Sequence, residues 1–316
     1  MAAQVLLYIG ESLARYRFPD GHPFGIDRQR AFWNEAQRQG LDKRVELCPP
    51  RPAQRAELAR FHTAEHIERV ESQSRSGQGY LDYGDTPAFP GMFEAASAVT
   101  GTALDGLERI MAGEIRRTFQ PVGGLHHARP HTAAGFCVFN DLGLAIRTLR
   151  EIHGVRRVAY VDIDVHHGDG VYYTFEDDPE LIFADIHEDG RYLYPGTGHA
   201  HETGSGRAQG TKLNLPLAPG AGDRDFYESW ERVLDHLRRH RPEFILFQCG
   251  ADSLQGDPLA HLRLTPASHA HAARTLCRLA DELCGGRIMA FGGGGYSLKN
   301  LAVGWCAVLG EMVNDG

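Results

Sequence analysis

The sequence predicts an α/β protein built on a parallel sheet and contained in one domain. Two observations carry that expectation. Short apolar, β-branched runs recur along the chain, each closed by a glycine or polar cluster and followed by a helix-period pattern, which is the rhythm of strands joined by helical crossovers. No linker, internal repeat or low-complexity tract divides the 316 residues, a length that one large α/β domain can fill.

The first strand is expected at residues 5–9 (VLLYI). No basic region precedes it and no small-residue cleavage site follows, so it reads as structure and not as a leader. Helical periodicity follows at 28–39, 52–74 and 91–111, then a strand at 118–122 and a helix at 142–153. Strands at 157–161, 181–186 and 212–215 lead to a helix at 223–239 and a strand at 244–249. A helix at 267–283, a strand at 287–291 and a helix at 298–313 complete the pattern. Thr265-Pro266 supplies a capping hydroxyl and a first-turn proline for one of these helices, and Gly285-Gly286 ends it. Residues 187–210 show no periodicity, and a loop of that length inside a compact domain is usually functional or disordered.

Composition removes several function classes. A formal net charge of −8 argues against a protein that grips phosphate backbones, so no nucleic-acid partner is expected. Six scattered cysteines contain no C-x-x-C pair, which points to buried thiols in a reducing compartment and away from a zinc ribbon or a disulfide framework. No stretch approaches the roughly 20 apolar residues that a membrane span needs. A cytoplasmic protein with no membrane partner is expected, and oligomeric state is left open. The 37 glycines and 17 histidines are the unusual figures.

The strongest chemical signal is VAYVDIDVHHGDG, residues 158–170. Strand alternation would place Asp162, Asp164 and His166 on one face, converging where the strand stops. Carboxylates leading out of an apolar strand are costly unless paired or metal-bound. Three further clusters also follow strands: GGLHHARP (123–130), CGADSLQGDP (249–258) and GGGGYSLKN (292–300). Taken singly each has a plainer explanation: a surface histidine pair, a helix N-cap at Asp252, a core aromatic at Tyr296. Ligands of open parallel sheets bind beyond the carboxyl ends of the strands, so the four clusters together predict one shared crevice.

The chemistry implied is metal-assisted hydrolysis. Asp164, His166 and Asp252 form a three-ligand set with an open position, the layout of a catalytic zinc site. His126 and His127 are then the general base and its electrostatic partner, with Asp162 and Asp169 available to set tautomer and basicity. Tyr296, carried on a flexible glycine hinge at 292–295, would hydrogen-bond the tetrahedral oxyanion.

The set GGLHHARP, GFCVFND, DIDVHHGDG, YPGTG, GADSLQGDP and GGGGY resembles the zinc-dependent histone deacetylase superfamily, which includes acetoin-utilisation deacetylases and acetylpolyamine amidohydrolases. The resemblance implies the arginase/deacetylase fold: a single catalytic domain over residues 1–316, with a central eight-stranded parallel sheet flanked by helices. It implies metal ligands at Asp164, His166 and Asp252, with zinc, or ferrous iron in the cell, as the catalytic ion. It also implies tandem histidines at His126 and His127 supported by Asp162 and Asp169, and a transition-state tyrosine at Tyr296. Phe136 and Tyr194 match the aromatic walls of an acyl-lysine tunnel, Asp85 its rim aspartate and Arg28 the arginine near its foot. Gly135 and Gly294 are expected beside the substrate. A structural potassium ion, held by backbone carbonyls around Asp162, Asp164 and His166, is implied by resemblance alone. The substrate implied is an acyl-lysine protein or peptide, or an acylated polyamine.

Three departures qualify this reading. Asp185 stands where many relatives carry a small hydroxyl residue, which touches the potassium shell. The glycine-rich segment at 187–210 is expected to reshape the tunnel mouth. Arginases share the fold but bind two manganese ions through D-x-H-x-D, whereas here the fifth position is Gly168, which favours a single ion. A non-catalytic acyl-lysine binding module is the other rival, and the intact set of ligands, histidines and tyrosine argues against it.

Overall fold

In the computed structural model, which describes residues 5–19, 21–25 and 27–314, eight strands form one sheet. They are β1 (Val5–Tyr8), β2 (Glu46–Cys48), β3 (Arg117–Gln120), β4 (Val158–Asp162), β5 (Leu181–Glu188), β6 (Lys212–Leu217), β7 (Phe244–Gln248) and β8 (Ile288–Phe291). Their order is β2-β1-β3-β8-β7-β4-β5-β6, and every neighbouring pair is parallel. The helices are α1 (Glu11–Ala14), α2 (Arg28–Arg38), α3 (Arg55–Leu58), α4 (Ala64–Ser76), α5 (Met92–Met111), α6 (Asp141–Glu151), α7 (Asp169–Thr174), α8 (Asp223–His240), α9 (Pro266–Leu283) and α10 (Leu298–Asn314).

Period-two alternation assigns each strand residue to one of two cores. Leu6, Tyr8, Val158 and Tyr160 face the layer packed by α1 and α3 to α7. Val5, Leu7, Ala159 and Val161 face the opposite layer, packed by α2, α8, α9 and α10. Both faces are covered, so the strands read as continuous apolar runs, as parallel strands do. Among the described residues no helix is long and apolar enough to cross a membrane.

Four expectations change. The 52–74 periodicity divides into α3 and α4, because Thr63 interrupts it as an N-cap whose side chain accepts from the His66 amide. Strand β2 was not expected: it has three residues, two of them exposed, and lies at the sheet edge. Helices α1 and α7 were not expected either, being four and six residues long. The segment at 187–210 begins inside β5, which extends to Glu188.

The order of the sheet explains the shared crevice. β3, β8, β7 and β4 are consecutive neighbours, and they are the four strands that the four chemical clusters follow. Their carboxyl ends therefore open at one place.

The layer between α5 and the chain before α3 has no slack. A Cβ added at Gly101 would collide with the backbone of Arg51, Pro52 and Ala53, where the Ala53 amide donates to the Ser97 carbonyl at 2.7 Å. Alanine in a helix interior is normally about 1 kcal/mol better than glycine, but overpacking costs about 1–3 kcal/mol. Gly101→Ala is thus expected to destabilise the protein; a urea midpoint at or above the wild-type value would show that the 51–53 segment yields freely.

Candidate active site

A pocket of 240 Å³ opens beyond the strand ends, with Phe136 and Tyr194 among its lining residues and His127, His166 and Tyr296 lining it as well. Below it a cavity of 20 Å³ reaches His126, Asp164, Gly293 and Gly294.

β4 ends at Asp162, so Asp164 and His166 stand on the bends after it and not on one strand face as expected. The bends still bring them together: the Asp164 Oδ1 atom accepts from the His166 amide at 3.0 Å and lies 3.1 Å from His166 Nδ1. Asp252, from the turn after β7, places Oδ2 3.2 Å from the same Nδ1. Among the described residues these three form the one group whose ligand atoms all lie within 4.8 Å of one another, and all three are buried.

The cluster fits a cation. Asp252 Oδ2 is buried and accepts no well-aligned hydrogen bond. Burial, and then the neighbouring Asp164 carboxylate, push Asp252 up to about 7, since two carboxylates in a dry pocket repel unless a positive charge lies between them. Gly168 offers no carboxylate for a second metal, and a Cβ there would stand 2.8 Å from the Tyr160 hydroxyl and 2.9 Å from Asp162 Oδ2. Gln248, at the end of β7, donates to Asp164 Oδ2 at 2.8 Å and to the Gly124 carbonyl at 3.3 Å, tying this cluster to the histidine loop.

Each of the tandem histidines has its own carboxylate. His126 Nδ1 lies 2.8 Å from Asp162 Oδ2, and His127 Nδ1 lies 2.7 Å from Asp169 Oδ1. Ionised Asp169 accepts, so His127 Nδ1 carries the proton, while one proton lies between His126 Nδ1 and Asp162; both Nε2 atoms are turned to the pocket, where they face each other at 3.1 Å. The two carboxylates differ. Burial would raise Asp169, but its bonds to His127 and to Arg129 Nη2, at 2.9 Å, outweigh it and hold the group down at about 2. Asp162 is pushed well above the carboxylate range by burial and by Asp185 and Asp164, and it accepts a short hydrogen bond from Tyr160. Burial, followed by the His126 charge, lowers His127 to about 4, so it is a neutral base at pH 7.

The 292–295 run is packed, not a hinge. A Cβ at Gly294 would collide with Asp252 and one at Gly293 with Gln248. The Gly294 amide donates to Asp164 Oδ2 at 2.8 Å, which places this residue beside the acidic cluster and not in the wider pocket. Arg28, buried, donates to the Gly295 carbonyl and, at 2.5 Å, to the Gly293 carbonyl, and so locks the run from behind. Asp257 then accepts from the Tyr296 amide at 2.7 Å. Tyr296 is thereby aimed into the pocket, its ring 5.8 Å from that of Phe136. Burial, and then Asp252 and Asp164, push its hydroxyl well above the ordinary range, so it remains a donor.

Phe136 and Tyr194 both line the pocket. Phe136 holds φ 67°, with its carbonyl bonded by Tyr16 at 2.7 Å and its amide donating to Thr86 at 3.1 Å. Gly135 has no room for a side chain, since a Cβ would meet His127 and Tyr194. The glycine-rich segment is anchored where His187 Nε2 meets the Gly198 carbonyl and His167 Nδ1 meets Thr197 Oγ1, both at 2.9 Å. That anchor holds Leu193 and Tyr194 against the pocket, and Leu259 completes the lining. Asp85 sits at the rim and is shared with a wider outer groove that also contains Asp82 and Arg129. Asp185 accepts from the Gly168 amide at 2.8 Å and faces His187 Nδ1 at 2.7 Å.

Comparison with known proteins places this geometry. A profile of the histone deacetylase domain matches residues 22–312. The chain is 35% identical over 321 residues to the acetoin utilization protein AcuC of Bacillus subtilis, covering 99% of this chain and 82% of that protein. It is 32% identical to the histone deacetylase RPD3 of Saccharomyces cerevisiae, covering 98% of this chain and 72% of that one. The crystal structure of the HDA15 HD domain superposes with a TM-score of 0.90 at 28% identity, covering 99% of this chain and 89% of the other.

Proposed function

The chain belongs to the histone deacetylase family, hydrolases of acetylated substrates, and we propose that it removes acetyl, or longer acyl, groups from lysine side chains of proteins or peptides in a zinc-dependent reaction. One observation carries this reading: a three-ligand acidic cluster, two histidines with a carboxylate each, and a tyrosine hydroxyl meet at the floor of one narrow aromatic-walled pocket. Asp164, His166 and Asp252 would hold the ion; zinc there supplies a Lewis acid for the amide carbonyl and lowers the pKa of water, and ferrous iron suits the same nitrogen and oxygen donors.

The residues of the chain account for the remaining steps. Phe136 and Tyr194 would flank the aliphatic stem of the acyl-lysine, and Asp85 at the rim would accept from its backbone. His127, neutral and holding its proton at Nδ1, has Nε2 free to take the proton of the attacking water and pass it to the leaving amine. His126 Nε2, 3.1 Å away, is close enough to share that proton. The structural potassium is part of the same proposal, supported by Asp162, which burial and then the neighbouring Asp185 and Asp164 carboxylates push upward. So is a cytoplasmic location, supported by six buried cysteines with none paired.

Tyr296→Phe is expected to retain metal and substrate affinity and to lower kcat by about 10²–10³-fold, the usual effect of deleting one oxyanion donor. A wild-type kcat in that variant would remove the hydroxyl from the reaction. The experiment that tests the substrate class is a rate panel of acetyl-lysine peptides, longer acyl-lysine peptides and acetylated polyamines. Peptides are expected to be preferred. A preference for polyamines would replace this reading, and peptide binding without product would mark a binding module.

A further inference from the structure

The loop that bears the tandem histidines belongs to no strand or helix, yet it must hold two imidazoles beside Asp164. Its backbone is gripped on both sides by two consecutive side chains at the start of α6. Ahead of the histidines, Asp141 Oδ2 accepts from the Gly124 amide and Asp141 Oδ1 from the Leu125 amide, both at 2.8 Å. Behind them, Asn140 Nδ2 donates to the Ala128 carbonyl at 2.8 Å and, more weakly, to the His126 carbonyl at 3.5 Å. Gly123 is fitted to this grip, since a Cβ there would stand 2.8 Å from Asp141 Oδ2.

Helix capping alone does not explain the pair. Asn140 Oδ1 caps α6 by accepting from the Gly143 amide at 2.7 Å, and serine or threonine would serve there equally well. The amide donor of Asn140 and both oxygens of Asp141 are additional to that cap. Asp141 is fully buried and is satisfied by backbone amides alone. A buried carboxylate without a cation is a costly way to hold a loop, but two fixed acceptors on one rigid group set the loop more tightly than packing does.

We propose that Asn140 and Asp141 are positioning residues for the proposed deacylation: they fix the backbone on either side of His126 and His127 and so set the imidazoles against the acidic cluster. This rests on the hydrolase reading above. An error of about 1 Å in such placement costs roughly 10²-fold in rate. Asp141→Asn puts an amide group against one of the two N–H donors, and Asn140→Ser keeps the helix cap but cannot reach Ala128.

Both variants are expected to lower kcat by about 10- to 100-fold on an acetyl-lysine peptide, with KM within about threefold, and to shift the downfield NMR signals of the His126 and His127 Nδ1 protons. In a His127→Ala background Asn140→Ser is expected to cause a smaller additional loss, because one of the two groups it positions is gone. Unchanged kcat in folded Asn140→Ser, or an equal loss in the His127→Ala background, would overturn the proposal. If Asp141→Asn does not fold, Asn140→Ser decides alone. If the wild-type protein hydrolyses no acyl-lysine, the hydrolase reading fails by itself. The NMR signals then decide the clamp: unmoved signals in Asn140→Ser overturn it and shifted ones support it.

Discussion

Stripping metal from the protein with a chelator is expected to abolish amide hydrolysis, and one equivalent of zinc to restore it. The expectation follows from what the pocket lacks as much as from what it holds. The cysteines are all buried, and burial pushes the nearest to the pocket floor, Cys137, well above its ordinary range, so it is no thiolate nucleophile. Among the described residues no serine or lysine lines the pocket. Water is the remaining nucleophile, and with the imidazoles alone to activate it, general acid–base catalysis contributes about 10²–10⁴-fold, far short of typical enzymatic acceleration, about 10⁶-fold and above. Asp252→Asn should behave like the stripped protein and should not be rescued by zinc, because it neutralises the buried carboxylate whose Oδ2 accepts no well-aligned hydrogen bond. Rates after metal removal, measured on the acetyl-lysine peptide with zinc titrated back, check both statements. Undiminished turnover in the stripped protein would overturn the metal assignment.

The sequence makes the site more legible than the scaffold that holds it, for physical reasons. His126, Asp164, Asp252 and Tyr296 are legible because polar groups at the ends of apolar strands are costly, and because parallel sheets gather their strand ends. The sheet order then supplies what no single motif contains, namely that β3, β8, β7 and β4 are neighbours. β2 is hidden because an edge strand with two exposed residues needs no apolar run. The 292–295 glycines are misread as flexible because composition does not separate a glycine needed for motion from one needed for close approach; here the neighbours are Asp252, Gln248 and the Pro121 carbonyl. Gln248 escapes notice, and Arg129, Asn140 and Asp141 receive no role although their motifs are quoted, for another reason. They carry no reactive chemistry of their own, and their role exists only in contacts between chain segments far apart in sequence.

Asp169→Asn should cost nearly as much as losing His127 itself, although it preserves size and removes no atom from the reaction. Asp169 has two partners, His127 Nδ1 at 2.7 Å and Arg129 Nη2 at 2.9 Å. As a carboxylate it accepts from both, and His127 keeps its proton at Nδ1 with Nε2 free as the base. An asparagine has one oxygen for two donors. If that oxygen faces His127, the new amide group faces a guanidinium, donor against donor beside a positive charge. If it faces Arg129, the amide donates to His127 Nδ1 and moves the imidazole proton to Nε2, where it blocks the base. The second arrangement satisfies both contacts and is favoured. Placing the wrong tautomer in this way costs about 10⁴ in a catalytic triad, and a loss of about 10³–10⁴ in kcat is expected here. Nitrogen-15 spectra of His127 should show Nδ1 unprotonated in the variant. Adding Arg129→Met to Asp169→Asn removes the group that selects the harmful orientation, so part of the rate should return. A double variant no faster than the single one would show that the lost carboxylate charge, and not the tautomer, accounts for the effect.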